Sequence, residues 1–381
     1  MHATTNRLGE VTPVVGNALM VAFELSAKKW KLAFHDGRRT RARIATVPAW
    51  EFGSVMLEIE RARAAMGLPT GTPVCSCYEA GREGFSVHRR LVQLGVDNVV
   101  IDAASVEVNR RARRAKTDRL DAEMLVAKLI AHKRGERAFA VVRIPSVEDE
   151  SRRHEQRQLD DLKQERGRHT VRIKALLLTQ GIAIKRWSAD EDLSALRTID
   201  ERELPPELVQ RIRDELARHQ LVQEQIARIE SSRKVQLAVP ESERQPHVDR
   251  VKRLSTLKGI GTTGAFRMVL ECFAWRKFSN RREVAGCLGL APSPFASGSI
   301  NREQGISKLG NAELRSLFIE LSWLWLRYQP DSKIARWFAE KFAPAGRHRR
   351  IGIVAVARKL AIALWKYVEF GVEPEGTLMK T

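Results

Sequence analysis

The N-terminal part of the chain carries short apolar runs with the length and composition of β-strands. Some of these runs are continuous and others alternate with polar residues, and both patterns are typical of strands. His35-Asp36-Gly37, between two of the runs, predicts a tight hairpin turn. The predicted strands cover residues 19–25, 30–34, 41–47, 73–79 and 96–102.

Helical periodicity separates and follows these predicted strands. Apolar residues recur on one side of a helix over 49–66, and further helices are predicted at 85–94 and about 117–132. The resulting order, β-β-β-α-β-α-β-α, is that of an RNase H-like fold. We therefore expect an α/β domain over residues 15–140.

Two segments rich in Arg, Glu, Gln and Leu follow, at residues 145–180 and 205–237. Their apolar residues recur at helical spacing and charged residues fill the remaining faces. This pattern predicts two long helices that form a coiled-coil hairpin, which we assign to residues 141–250. A spacer or an assembly arm is the role that we favour for such a hairpin.

The C-terminal region, residues 251–375, is predicted to be mostly helical. Its Gly259-Ile260-Gly261 turn before an apolar helix is typical of a helix-hairpin-helix, in which backbone N–H groups approach a phosphate. An ordinary glycine-rich connection between helices would carry the same residues. The expected elements are a helix at 263–273, a loop over 289–305, and helices at 311–328 and 350–368.

The charge balance narrows the class of partner. Lys and Arg number 66 against 46 Asp and Glu, which gives a formal charge of +20 and favours nucleic acid as the partner. A membrane partner is not expected, because the most apolar run, 317–326, is too short to span a bilayer. The N-terminus lacks a signal-peptide pattern, so we expect a cytoplasmic, nucleoid-associated protein. The four cysteines form no CxxC pair and predict buried free thiols rather than a zinc site.

Acidic residues occur at the three places where RNase H-like enzymes carry catalytic carboxylates. Glu24 lies inside the first predicted strand, where an acid is unfavourable unless it is needed or solvated, and Glu79 ends the fourth. Asp118 and Asp121 lie three residues apart on the last helix and point from one face. Such carboxylates together predict a site for a hard cation such as Mg²⁺. An ordinary helix start would also favour acids in its first turn.

Candidate contacts to nucleic acid fall in three groups. A basic run precedes the acid pair, the glycine turn offers backbone N–H groups, and a lysine precedes the helix that starts near residue 311. The candidates are Arg110, Arg111, Arg113, Arg114 and Lys116, then Lys258, Gly259 and Gly261, and finally Lys308.

A series of short motifs extends over nearly the whole chain. They are Glu79-Ala80-Gly81, 99–104, 116–122, Arg143-Ile144-Pro145-Ser146, 257–261, Gly289-Leu290-Ala291-Pro292, Ser297-Gly298, 305–311 and Leu314-Arg315. In this order and spacing the chain resembles the IS110/IS1111-type transposases, bridge-RNA-guided recombinases of the DEDD class.

The resemblance implies a RuvC-like N-terminal domain whose four acids bind Mg²⁺, here Glu24, Glu79, Asp118 and Asp121. It also implies a serine nucleophile in the C-terminal domain, here Ser297, that forms a phosphoserine with the DNA strand. By itself, Ser-Gly in a polar segment is ordinary turn chemistry. Family members usually carry Asp where this chain has Glu24, which leaves direct ligation at that position open.

The same resemblance implies partners: a structured noncoding bridge RNA, donor and target DNA, and further copies of the chain in a dimer or tetramer. Two other functions stay open on the sequence. A Holliday-junction-type endonuclease would use the same acids to hydrolyse DNA with metal-activated water. A non-catalytic nucleic-acid-binding protein would need neither the acids nor the serine.

Overall fold

The computed structural model describes residues 17–105, 117–185, 192–297, 300–342 and 346–380. At residues 104, 293–297, 300–304 and 346–348 it describes the backbone alone. The chain divides into two compact units, Met1–Ile144 and Pro145–Thr381. Over the described ranges, no helix combines the length and the apolar character needed to cross a membrane.

In the described part of the first unit, five strands form one mixed sheet. They are β1 (Leu19–Glu24), β2 (Lys29–His35), β3 (Arg43–Pro48), β4 (Val74–Glu79) and β5 (Asp97–Ile101). The sheet order is β3-β2-β1-β4-β5, with β1, β4 and β5 parallel to one another and β2 antiparallel to both neighbours. The predicted α/β class is confirmed, and the mixed sheet is compatible with an RNase H-like fold.

Helices cover both faces of this sheet. They are α1 (Phe52–Ala65), α2 (Ser86–Gln93) and α3 (Asp118–Lys133). Leu19, Val21 and Phe23 of β1 pack in one core with α1 and α2. Met20 and Ala22 pack in a second core with α3 on the opposite face. Because successive residues of a strand point to opposite faces, one apolar strand supplies both cores.

Two long helices begin the second unit: α4 (Val147–Leu178) and α5 (Pro206–Ala238). They run antiparallel, because Glu155 pairs with Arg233 whereas Lys163 pairs with Glu230, so that residues further along α4 meet residues earlier on α5. Their contact is apolar, through Leu159, Leu162, Val222, Ile226 and Ile229. The two long helices are therefore confirmed, and the supercoiling of a coiled coil stays a prediction.

The rest of the second unit packs around a large apolar core. Its helices are α6 (Pro246–Ser255), α7 (Thr262–Met268), α8 (Arg281–Cys287), α9 (Ala312–Tyr328), α10 (Lys333–Phe342) and α11 (Gly346–Phe370). A π-helical turn, Val269–Phe273, extends α7. The core includes Leu254, Phe266, Phe318, Trp325 and Leu360.

The prediction of a loop over residues 289–305 is wrong. Strands β6 (Pro292–Ser297) and β7 (Ile300–Ile306) form an antiparallel hairpin there. Pro292 and Pro294 argue against a strand because proline has no N–H to donate. A two-stranded ribbon leaves each strand with an open edge, which tolerates proline, and the pairing also shifts register between these two residues. Helix α10 is a second element that the sequence pattern did not predict.

Candidate functional site

Glu24 and Glu79 occupy neighbouring positions on adjacent strands. Each is the last residue of its strand, β1 and β4, and these strands are parallel. The register pairs Phe23 with Tyr78, so the next residue on each strand is one of the two glutamates. The two carboxylates that the sequence singled out in separate strands thus share one end of the sheet.

The two glutamates also share one face of the sheet. Met20 and Ala22 of β1, and Cys75 and Cys77 of β4, pack against α3. Strand residues two positions apart point to the same side, so Glu24 and Glu79 continue the rows that face α3. Burial raises the pKa of the Cys77 thiol, and the negative charge of Glu79 raises it further. That electrostatic coupling agrees with a Glu79 carboxylate on the same face as Cys77.

The direction of α3 brings the two aspartates to this end. Leu125, in the second turn, accepts a hydrogen bond from Cys77 Sγ through its carbonyl oxygen at 3.8 Å. Lys133, the last residue, donates from Nζ to Asp97 Oδ2 at 2.5 Å, at the start of β5. Helix α3 therefore runs opposite to β4 and β5 and begins at the end of the sheet where those strands finish. Asp118 and Asp121 lie in this first turn.

Local chemistry fixes the start of α3 at this point. Thr117 has extended backbone angles, and its hydroxyl accepts a hydrogen bond from the Leu120 N–H at 3.4 Å, which is an N-cap contact. Asp118 and Asp121 then fall where the helix dipole favours negative charge. Ala122 and Leu125 follow them by about one turn on the buried side. The acid pair is consequently a continuation of the helix face that packs on the sheet.

By ligand type, the four candidate acids suit Mg²⁺. Oxygen ligands from carboxylates are what Mg²⁺ prefers, and all four candidate acids lie at one end of the sheet. Within the described residues, however, no three His, Cys, Asp or Glu side chains come together as a group that could hold a metal ion. The backbone thus assembles the four positions, while the side chains are not converged.

A fifth acid at this end was missed in the sequence. Asp102 directly follows β5, whose last residue, Ile101, pairs with Glu79. Its backbone N–H donates to the Ala140 carbonyl at 2.9 Å. The signal was its position as the final residue of the predicted strand 96–102, since the ends of parallel neighbouring strands meet at one edge.

Ser297 lies in the second unit, whereas the acids lie in the first. It is the last residue of β6, and its backbone pairs with Ile300 across the hairpin. Its side chain is outside the described part of the chain. The sequence placed this serine in a loop, and the backbone places it next to the tip of a two-stranded ribbon.

The motifs on either side of this ribbon bind each other at its base. Lys308 N–H donates to the Gly289 carbonyl at 3.1 Å, and Ser307 N–H donates to the Ala291 carbonyl at 2.9 Å. Arg315 donates from Nη1 to the carbonyls of Leu288 and Lys308, each at 3.2 Å. The sequence marked Leu314-Arg315 only as a motif, and this guanidinium joins the two segments from which the hairpin projects.

The glycine turn is bound within the protein. Gly259 has φ +85°, and a Cβ there would lie 3.3 Å from the carbonyl oxygen of Leu324 on α9. Lys258 N–H donates to the Leu378 carbonyl at 3.1 Å, and Ile260 N–H donates to the Leu257 carbonyl at 3.2 Å. Gly261 precedes α7 with φ −82°. These contacts explain the need for glycine at 259, and a phosphate contact at the turn stays a prediction.

Of the other candidate contacts to nucleic acid, one lies within the described residues and five lie outside them. Arg110, Arg111, Arg113, Arg114 and Lys116 lie outside the described residues. Lys308 is described and has φ +56°, an uncommon conformation for a residue other than glycine. Asn311 caps α9, since its side chain accepts a hydrogen bond from the Leu314 N–H at 3.0 Å.

Comparisons with known proteins agree on one class. The family model described as "Transposase IS116/IS110/IS902 family" matches residues 251–335. The chain is 39% identical over 377 residues to a putative transposase, y4rJ, of Sinorhizobium fredii, covering 96% of this chain and 95% of that protein. It is 29% identical over 303 residues to the transposase for insertion sequence element IS1328 of Yersinia enterocolitica, covering 78% and 84%.

A third relative is the transposase for insertion sequence element IS1111A of Coxiella burnetii, 28% identical over 116 residues and covering 30% of this chain and 31% of that protein. The match of the C-terminal region to a transposase model, together with the similarity to these transposases, indicates a DNA-processing enzyme, a transposase. The chain belongs to the IS116/IS110/IS902 transposase family. The resemblance to IS110-type transposases that the sequence motifs indicated is thereby confirmed, while the DEDD acids and the bridge RNA stay predictions.

Proposed function

We propose that this transposase cuts and rejoins DNA strands through a phosphoserine formed on Ser297. In the cleavage step Ser297 Oγ attacks the scissile phosphorus, the bond from phosphorus to one deoxyribose oxygen breaks, and that strand leaves with a free hydroxyl. The new serine–phosphate ester keeps the bond energy of the phosphodiester. A hydroxyl from another strand then attacks the same phosphorus and releases the serine, so strands are rejoined without ATP.

The placing of the acids supports this proposal most directly. Glu24, Glu79, Asp118 and Asp121 come from two strands and one helix, yet all lie at one end of the sheet. If the four carboxylates converged on one point, their like charges would repel one another. A bound cation would offset that repulsion, and these four residues are the ones that would hold Mg²⁺ in this enzyme.

Bound Mg²⁺ would polarise the scissile phosphate and neutralise charge on its oxygens. Serine is a poor nucleophile at neutral pH and needs such help. The same acids would also serve hydrolysis by water in a structure-specific endonuclease. Ser297 is therefore the residue that separates recombination from hydrolysis.

We further propose a guide RNA and an oligomer. The +20 formal charge suits two polyanionic partners, RNA and DNA, held by their backbones. Strand exchange between two duplexes requires more than one active site. The α4–α5 hairpin offers a long charged surface that could join copies as a coiled-coil arm, and the glycine turn at Gly259 could contact phosphate.

The decisive experiment is a strand-exchange assay with the purified full chain, donor and target DNA, the noncoding RNA that flanks its gene, and Mg²⁺. Ser297→Ala is compared with Ser293→Ala, a matched serine on the same strand β6. We expect a trapped protein–DNA adduct with the wild type and with Ser293→Ala, and none with Ser297→Ala.

Three results would contradict the proposal. If the wild type cleaves DNA without forming an adduct, and Ser297→Ala still cleaves it, the enzyme hydrolyses DNA as an endonuclease. Unchanged products from the double variant Asp118→Ala with Asp121→Ala would remove the acids from the chemistry. Binding that persists without any cleavage under every condition would leave a non-catalytic nucleic-acid-binding protein.

A further inference from the structure

A second feature, separate from the acids and from Ser297, lies in the C-terminal unit. A groove of about 740 Å³ opens between α10, α11 and residues 372–375. Its volume lies within the roughly 300–1,000 Å³ of ligand-binding clefts. The apolar part of its lining includes Trp337, Ile362, Ala363, Val372 and Pro374. We call this feature the α10–α11 groove.

Lys359 is one of the cations that line the α10–α11 groove. Its Nζ lies 4.3 Å from the centre of the Trp337 ring, a cation–π contact. Among the described residues, no carboxylate lies within 4.0 Å of this ammonium. Burial lowers the pKa of Lys359, and the positive charges of Arg358, Lys341 and Lys333 lower it further. The groove thus holds a half-buried cation that lacks a counter-ion and is surrounded by other cations.

The remaining charges of the lining are also mostly positive. The other cations are Arg281, Lys333, Arg336 and Lys366, and the acids are Glu340, Glu373 and Glu375. Lys333 pairs with Glu375 at 2.6 Å, which neutralises one cation and one acid. Four cations and two acids are left, and they share the lining with the apolar residues. The groove therefore suits a ligand that combines anionic groups with flat apolar surface.

We propose that the α10–α11 groove binds an unpaired segment of a DNA strand during the strand exchange described above. Proteins that hold single strands combine a positively charged groove along the backbone with aromatic and apolar surfaces against the bases. In a duplex the bases are stacked and paired, so the apolar residues of the groove lining would have no base surface to contact. This inference rests on the proposed function only for the kind of nucleic acid, because strand exchange exposes unpaired DNA.

The test is equilibrium binding of a fluorescein-labelled single-stranded oligonucleotide to the full chain, measured by anisotropy without Mg²⁺ so that cleavage plays no part. The variant is Lys359→Gln with Lys366→Gln. The control is Lys252→Gln with Lys277→Gln, two exposed lysines outside the groove lining. Loss of two phosphate contacts should weaken binding by about tenfold and reduce the salt slope of log K by roughly 1.4, about 0.7 for each contact. The control variant should lose clearly less.

A second measurement localises the strand independently of affinity. Ultraviolet cross-linking of a 5-bromouracil-containing strand, followed by peptide mapping, should label residues 333–375. Circular dichroism melting of each variant separates loss of folding from loss of binding. The proposal is overturned if the groove variant binds the strand like the control variant, or if duplex DNA, RNA or oligoglutamate binds the groove more tightly than the single strand. These results do not depend on whether a serine adduct forms.

Discussion

Gly289 and Gly310 meet backbone to backbone, so closely that a Cβ on Gly310 would lie 2.7 Å from the Gly289 nitrogen. Both have positive φ, +62° and +128°. They belong to the two motifs that flank the β6–β7 hairpin, which carries Ser297. The contact explains why both motifs contain glycine: a side chain at either position would push apart the segments from which the hairpin projects.

Gly310→Ala should therefore be strongly destabilising. The added Cβ would lie 2.6 Å from the Cys287 carbonyl oxygen and 2.8 Å from that of Gly286, and backbone atoms cannot move aside cheaply. Positive φ adds strain, so we expect a loss of about 2–4 kcal/mol in the free energy of unfolding. Urea denaturation of the full chain, followed by circular dichroism, measures it.

The control for this prediction is Gly286→Ala in α8. A Cβ there meets nothing within 4 Å, and its φ is ordinary. Alanine in a helix is favoured over glycine, so this variant should be neutral or stabilised by up to about 1 kcal/mol. Equal stability of the two variants would show that the contact between Gly289 and Gly310 does not contribute to the stability of the fold.

Glu271→Gln should weaken the attachment of α4 to the C-terminal core. The Glu271 carboxylate is buried in the π-helical turn and accepts hydrogen bonds from Arg157 at 3.0 Å and Arg153 at 3.4 Å. Removing its charge leaves two guanidiniums without their anion. Loss of one partner of a buried pair costs about 3–5 kcal/mol, and the half-exposed Arg157 places this case near the lower end.

Glu313→Gln is the matched control for Glu271→Gln. This carboxylate is 62% exposed and contacts Arg267 at 3.5 Å. An exposed ion pair contributes roughly 0–1 kcal/mol, so the urea midpoint should hardly move. A midpoint for Glu271→Gln that equals that of Glu313→Gln would contradict the assigned role of the buried carboxylate.

Part of the fold could be predicted from the sequence, and part could not. Strands β1 to β5 were predictable because their apolar runs and turns are local signals, and each predicted bound lies within a few residues of the structure. The β6–β7 hairpin was not predictable, because Pro292 and Pro294 oppose a strand locally, and only the pairing of β6 with β7 stabilises it. The π-helical turn was also missed, since it leaves the apolar pattern of a helix unchanged.

For the candidate site, the sequence could place Glu24, Glu79 and Asp118 on their elements, and only the order of those elements suggested a common site. Their location at one end of the sheet depends on the parallel register of β1 with β4 and on the direction of α3. The contacts between Cys77 and Leu125 and between Asp97 and Lys133 establish that direction. Contacts between residues so far apart in the chain have no local signature.

His247 predicts a pH dependence of stability. Burial lowers its pKa to about 4, and the charge of Arg152 lowers it further, while Asp149 acts in the opposite direction. In the unfolded chain the ring takes up its proton near pH 6.5. The unfolded state therefore binds more protons between pH 6.5 and about 4, and this contribution to stability is lost as the pH falls through that window.

The measurement is urea denaturation of wild type and His247→Gln at pH 7.5 and pH 5. Each pKa unit represents about 1.4 kcal/mol, and solvent screening at this partly exposed ring reduces the total to at most about 2 kcal/mol. Wild type should lose more stability than the variant between the two pH values. A parallel loss in both proteins would assign the pH dependence to other groups.

Glu24→Asp tests the position at which the sequence resemblance implies aspartate, and rests on the proposed Mg²⁺ site. Aspartate keeps the charge and shortens the side chain by about 1.5 Å, one bond length. We expect strand cleavage within about threefold of wild type for Glu24→Asp, and about 100-fold slower cleavage for Glu24→Gln, which loses the charge near the metal. Glu60→Gln, an exposed acid on α1, should cleave normally. If Glu24→Gln cleaves as fast as Glu60→Gln, Glu24 does not belong to the metal site, and Asp102, which follows β5 at the same sheet end, becomes the acid to vary next.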